Sequence, residues 1–113
     1  MTRGEIWLAE FGIPYGGEPG FTRPVLIVQD DSFNISKLKT IVVIPLTTNL
    51  RLMEAPGNVL LKNQDSKLAE DSVIITVQLY AIDRSRFKEK LSKAPWFIMD
   101  QVEIGMKLVL GMR

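Results

Sequence analysis

A chain of 113 residues with 14 lysines and arginines against 13 acidic residues has a net charge of +1, so bulk electrostatics does not mark it as a nucleic-acid binder. It contains neither cysteine nor histidine, which excludes disulfides, thiol catalysis and thiolate metal sites and removes the commonest metal ligand and general base; its carboxylates are scattered, so neither a metal nor a cofactor is expected. The length suits one domain over residues 1–113, able to bury roughly two thirds of its unfolded surface, and no apolar run approaches a membrane span, so the expectation is a soluble, cytoplasmic protein.

Along the chain, Glu5 to Phe11 has strand-like apolar content. Gly12, Pro14, Gly16, Gly17, Pro19 and Gly20 follow, a composition that predicts a mobile loop with unusual backbone angles. No Gly-Lys-Ser/Thr closes that loop, so it is not a phosphate-binding P-loop. Its aromatic residues, Tyr15 and Phe21, either stack on bases or pin the loop onto its own barrel. The loop leads into Arg23 and the apolar run Pro24 to Gln29, and a second run, Thr40 to Leu46, ends in Thr47-Thr48-Asn49. Each run sets polar, phosphate-competent residues at one end of a buried strand, the way a rigid sheet presents reactive groups. Taken alone, Arg23 reads as a solvated edge residue and Thr47 as a strand-end hydroxyl bonding to backbone.

Asp31 to Asn34 suits a short helical turn, and Asn58 to Leu61 and Ser72 to Val77 continue the strands. Short strands with no long helix between them predict a small antiparallel barrel. Arg84, Arg86, Lys88 and Lys90 alternate, which in a strand puts four cations on one face; that face is an edge armoured against aggregation, a stripe that contacts phosphates, or both. Near the C-terminus Ile98, Val102, Met106, Val109 and Leu110 fall at helical spacing, predicting a helix over 95–110 with an i,i+4 pair between Glu103 and Lys107 and a stop at Gly111. Phe97, Ile104 and Leu108 widen its apolar face beyond what one small barrel covers, which points to a contact between subunits.

Arg3-Gly4-Glu5-Ile6-Trp7, Gly17-Glu18-Pro19-Gly20 and Arg23-Pro24-Val25-Leu26-Ile27-Val28-Gln29 resemble the opening of MazF/PemK-type toxins. Pro45-Leu46-Thr47-Thr48-Asn49, Gly57-Asn58-Val59, Asp71-Ser72-Val73, Gln78, Ile82-Asp83-Arg84 and the final helix keep that family's order. The resemblance implies a mainly β fold, an SH3-like antiparallel barrel with a C-terminal helix. It also implies a homodimer that cuts single-stranded RNA at short sequences without a metal, as an mRNA interferase, and a cognate antitoxin that inhibits it. By the same resemblance Arg23 and Thr47 form the active site, and Glu18 is similar to an acidic residue that assists in some members. The loop Leu50 to Pro56 is of a variable kind, so a cleavage motif is not carried over.

RNA brings its own nucleophile, the 2′-hydroxyl, so cleavage needs positioning and charge stabilisation without a covalent enzyme intermediate. Arg23 offers a planar fork of donors to phosphate oxygens. An arginine is a poor base, which makes Glu18 the better candidate for that role and Arg23 or water the better acid. Thr47 can donate to the same phosphate. Thr48, Ser72 and Gln78 either build turns and satisfy buried backbone groups or, with Tyr15 and Phe21, contact the RNA. Two rival readings keep the barrel: a CcdB-type toxin that binds gyrase without cutting RNA, and a catalytically silent RNA-binding barrel.

Overall fold

The computed structural model describes residues 1–17 and 21–113. Among them the chain forms seven strands: β1 (Glu5–Glu10), β2 (Thr22–Ile27), β3 (Thr40–Thr47), β4 (Val59–Leu61), β5 (Ser72–Ile74), β6 (Tyr80–Asp83) and β7 (Phe87–Lys93). Two one-turn helices, α1 (Asp31–Asn34) and α2 (Asn63–Ser66), interrupt them, and the longer α3 (Trp96–Val109) follows the last strand. The described pairings are all antiparallel, in the order β4-β5-β3-β2-β1-β7, with β6 also on β3. The eight residues of β3 serve both parts of the sheet: Thr40 to Val43 pair with β6, and Leu46 and Thr47 pair with β5. Among the described residues no ladder joins β4 to β7, so the sheet stays open where the sequence predicts a barrel; the antiparallel class and the C-terminal helix are as expected.

The apolar runs of β2 and β3 are continuous because both faces of these strands are buried. Leu26, Ile44 and Leu46 face a core with Ile6, Leu61 and Ile74 that α3 covers through Ile98 and Val102. Val25, Ile27, Ile41 and Val43 face the other way, with Ala9 and Ile82, under Trp7, Phe11 and Phe87. A backbone buried on both sides is a stiff support for whatever stands at its ends.

The helix ends as its sequence predicts: Gly111 takes φ +69, its N–H donates to Leu108, and the N–H of Met112 reaches back to the Lys107 carbonyl at 2.8 Å, satisfying carbonyls the helix leaves open. The predicted Glu103–Lys107 pair does not form. Glu103 instead bridges Arg3 at 3.1 Å, tying α3 to the N-terminal segment. No side-chain bond caps the start of α3 at Pro95.

The basic run differs more from its expectation. Arg84 to Arg86 form a 3-10 turn, so the alternation begins only at Phe87. Arg84 spends its guanidinium on the carbonyls of Leu38 and Asn34, at 2.6 and 2.8 Å, and Arg86 donates to the Glu10 carbonyl at 3.0 Å. Lys88 pairs with Glu10 and Lys90 with Glu5 across the β1–β7 ladder. With all four cations engaged and β7 at the end of the strand order, the run has the features of an armoured edge.

Glu5 is the most heavily bonded carboxylate of the sheet. It is 9% exposed and accepts from the Thr2 N–H (3.1 Å), the Thr2 hydroxyl (2.8 Å) and the Trp7 indole (2.9 Å), with the Lys90 ammonium at 3.3 Å. Burial raises its pKa, but the bonds from Trp7, Thr2 and Lys90 outweigh this and hold it at about 2. Because the folded-state value lies below the ordinary 4.5, the stabilisation is complete above that pH and is lost as pH falls toward about 2; the shift corresponds to about 3 kcal/mol. Glu5→Gln should therefore lower the urea midpoint at pH 7 strongly and at pH 3 much less. An equal loss at both values would show that the charge is not the source.

Candidate nucleic-acid site at the ends of β2 and β3

The ladder between β2 and β3 pairs Val25 with Pro45, Leu26 with Ile44 and Ile27 with Val43. Continued two residues outward, the same register sets Arg23 opposite Thr47. Side chains alternate along a strand, so both lie on the face that carries Val25, Ile27 and Val43. The ladder stops at the two prolines, Pro24 and Pro45, which have no N–H to give. Beyond them lies a groove of about 310 Å³ lined by Phe21, Thr22, Arg23, Pro24, Leu46, Thr47 and Thr48.

On its other side β2 stays paired with β1, Arg23 to Ala9 and Thr22 to Glu10, so the Arg23 backbone is fixed while its side chain faces the groove. Arg23 is half-buried, and among the described residues its guanidinium makes neither a hydrogen bond nor an ion pair. A half-buried cation with its donors unspent is poised for an anion. The Thr47 hydroxyl accepts from the Asn49 N–H at 3.2 Å; this is the backbone-bonding role read from sequence, and it leaves the hydroxyl proton to be donated. Asn49 in turn caps the 3-10 turn Leu50–Glu54 by accepting from Arg51 at 3.3 Å, so the segment after Thr47 is held in place.

Phe21 sits at the rim, 66% exposed, with its backbone at φ +60, a left-handed angle costly for an aromatic residue. Two bonds hold it there, Phe11 N–H to the Phe21 carbonyl at 2.7 Å and Phe21 N–H to the Gly12 carbonyl at 2.5 Å. Tyr15 is 83% exposed and does not line the groove. Neither ring is buried against the barrel. Glu18 lies outside the described residues.

A second cavity of about 210 Å³ adjoins the first through Pro24 and Thr48, and Leu68, Ala69, Glu70 and buried Ser72 complete its lining. Gln78 lines neither; its amide donates to the Gly17 carbonyl at 3.3 Å, tying the loop that carries Tyr15 to the 3-10 turn Thr76–Gln78, and its carbonyl oxygen is buried without a partner among the described residues. Of the residues singled out from sequence, the fold thus brings Arg23, Thr47, Thr48 and Phe21 to one groove and Ser72 to its neighbour. Sequence reasoning missed Thr22, Leu46, Leu68 and Glu70. The pairing of β3 with β5, Leu46 to Ile74 and Thr47 to Val73, is what brings the 68–72 segment beside Thr48, and no local pattern announces it. Among the described residues no three carboxylates gather closely enough to share a cation, and no helix is long and apolar enough to cross a membrane.

Known proteins share both sequence and fold with this chain. The Endoribonuclease MazF2 of Mycobacterium bovis is 32% identical over 112 residues, spanning 99% of this chain and 98% of that protein. The Endoribonuclease MazF of Staphylococcus saprophyticus is 33% identical over 112 residues, with 99% and 92% covered. Among solved structures, MazF of Deinococcus radiodurans superposes with a TM-score of 0.83 at 25% identity over 99% of this chain and 97% of that one. The fold also matches a mycobacterial endoribonuclease solved with its cognate antitoxin, with a TM-score of 0.80 at 21% identity over 100% and 97% of the two chains. The family model described as PemK-like, MazF-like toxin of type II toxin-antitoxin system matches residues 2–110, and the chain belongs to that family.

Proposed function

We propose that this protein is an endoribonuclease toxin that cleaves single-stranded RNA and is inhibited by a cognate antitoxin. The observation that carries the reading is the shared groove of Arg23 and Thr47, an arginine and a hydroxyl whose donors are unspent among the described residues, on one face of two rigid strands. Membership of a toxin family and the endoribonuclease names of relatives spanning the whole chain support it.

In this reading the 2′-oxygen attacks the adjacent phosphorus and the 5′-oxygen of the next nucleotide leaves, taking a proton from Arg23 or water, to give a 2′,3′-cyclic phosphate and a 5′-hydroxyl. Arg23 bonds the phosphate oxygens through its fork and stabilises the charge that builds on them. Thr47 adds one hydrogen bond to the same group. Glu18 takes the 2′-proton, and Phe21 and Thr48, with Tyr15, Ser72 and Gln78 further out, hold the flanking nucleotides. No step calls on a metal or a cofactor. A second copy of the chain covers the apolar face of α3, where Ile104 is 69% and Leu108 60% exposed, making a homodimer; the whole chain acts as one domain in the cytoplasm. Purified protein incubated with a long RNA in chelator should cut it at a small set of sequences. RNA left intact in chelator and cut only with added magnesium would overturn the reading.

A further inference from the structure

The two adjoining cavities carry opposite charges. Among the described residues, Arg23 is the one charged side chain lining the first and Glu70 the one charged side chain lining the second. A carboxylate beside an RNA groove repels the backbone, so what it receives must bring hydrogen-bond donors. Along single-stranded RNA the groups that do so beside each phosphate are the base edges. Resting on the function proposed above, we infer that the Glu70 cavity is a base-reading pocket. It selects, at one position flanking the cut, a base with an exocyclic amine and rejects uracil.

The pocket is built for such a reading. Pro24 and Leu68 give it apolar walls for the faces of a planar base, while the Glu70 carboxylate and the hydroxyl of Ser72 supply polar groups for its edge. An ionised carboxylate is acceptor only, and it suits the amine of cytosine, adenine or guanine. Uracil presents two carbonyl oxygens on either side of its single N–H, and these meet the carboxylate with repulsion.

Glu70 is exposed, but its backbone is held on both sides. On one side the Asp71 carboxylate accepts from the Asn63 N–H at 2.8 Å; on the other the Leu68 N–H donates to the Ser66 hydroxyl at 3.0 Å, the Ser66 carbonyl accepts from Ser92, and Leu68 packs on the core. A reader that must discriminate between bases needs such a fixed mount. Pro24 and Thr48 belong to both cavities, so a phosphate held at Arg23 leaves its neighbouring base within reach of Glu70.

The test compares wild type, Glu70→Gln and Glu70→Lys on an RNA pool of random sequence, with fragment ends mapped. Wild type should disfavour uracil at one position near the cut, and both variants should reduce that discrimination by about tenfold or more there and nowhere else, with Lys favouring carbonyl-bearing uracil. Cleavage on sequences that already carry uracil at that position should be as fast as wild type or faster, which separates a lost reader from a damaged fold. If wild type cuts RNA and the variants keep its base profile, the pocket does not read bases and the nuclease reading stands. If wild type cuts no RNA, the function proposed above fails, and this inference falls with it.

Discussion

Arg23→Ala should slow RNA cleavage by about a hundredfold or more, the loss seen when a single preorganised donor is removed from developing charge. The guanidinium offers two parallel N–H groups to two phosphate oxygens, and among the described residues nothing on the protein competes for them. Arg23→Lys keeps the charge but presents a compact point donor without the fork, so it should recover only a small part of the rate. Thr47→Ala removes one neutral hydrogen bond and should cost less, though measurably. Among the described residues the Arg23 guanidinium makes neither a hydrogen bond nor an ion pair, and its backbone pairing with Ala9 does not need the guanidinium, so thermal unfolding should be nearly unchanged. Single-turnover rates on one RNA substrate give the comparison. Wild-type rates for Arg23→Ala would remove this residue from the mechanism.

Gly105→Ala should be the most damaging alanine substitution among the described glycines. A Cβ at Gly105 would lie 2.2 Å from the carbonyl oxygen of Gly57, so α3 and the turn before β4 are in backbone contact there. Gly57 cannot yield easily: its φ is +91, and a Cβ of its own would meet Val109 at 2.8 Å. The helix would have to lift, loosening Val102 and Ile98 from the core over Leu26 and Ile44. Two effects oppose each other. Alanine is a better helix former than glycine by about 1 kcal/mol, whereas overpacking that shifts backbone costs roughly 1–3 kcal/mol, and a 2.2 Å approach to a carbonyl oxygen belongs at the upper end of that range. The second wins, so the urea midpoint should fall; an unchanged or raised midpoint would mean that the helix and turn are not in contact.

The strands and the final helix were legible because their signals are local. Alternation, β-branched runs and the stop at Gly111 depend on neighbours in sequence, and β2, β3 and α3 fall close to their predicted bounds. The basic run misled for the opposite reason. Its period of two is a strand signal, yet Asp83 accepts from the Ser85 N–H and starts a 3-10 turn, so turn chemistry overrode the alternation. Whether the sheet closes into a barrel and whether Glu103 bridges Arg3 depend on residues far apart in sequence, which no periodicity encodes. At the candidate site the sequence placed Arg23 and Thr47 at strand ends, but that they share a groove follows from the β2–β3 register. The Glu70 cavity needed the further pairing of β3 with β5.

The central claim is that the RNA cuts itself through its 2′-hydroxyl while the groove stabilises the charge. The most direct measurement uses two matched oligonucleotides containing a mapped cut site, one all-RNA and one with a single 2′-deoxynucleotide at the cut, both in chelator. The account predicts that the first is cleaved to a fragment ending in a 2′,3′-cyclic phosphate, and that the second binds with similar affinity but stays whole. Cleavage of the deoxy-substituted strand at the normal rate would contradict it.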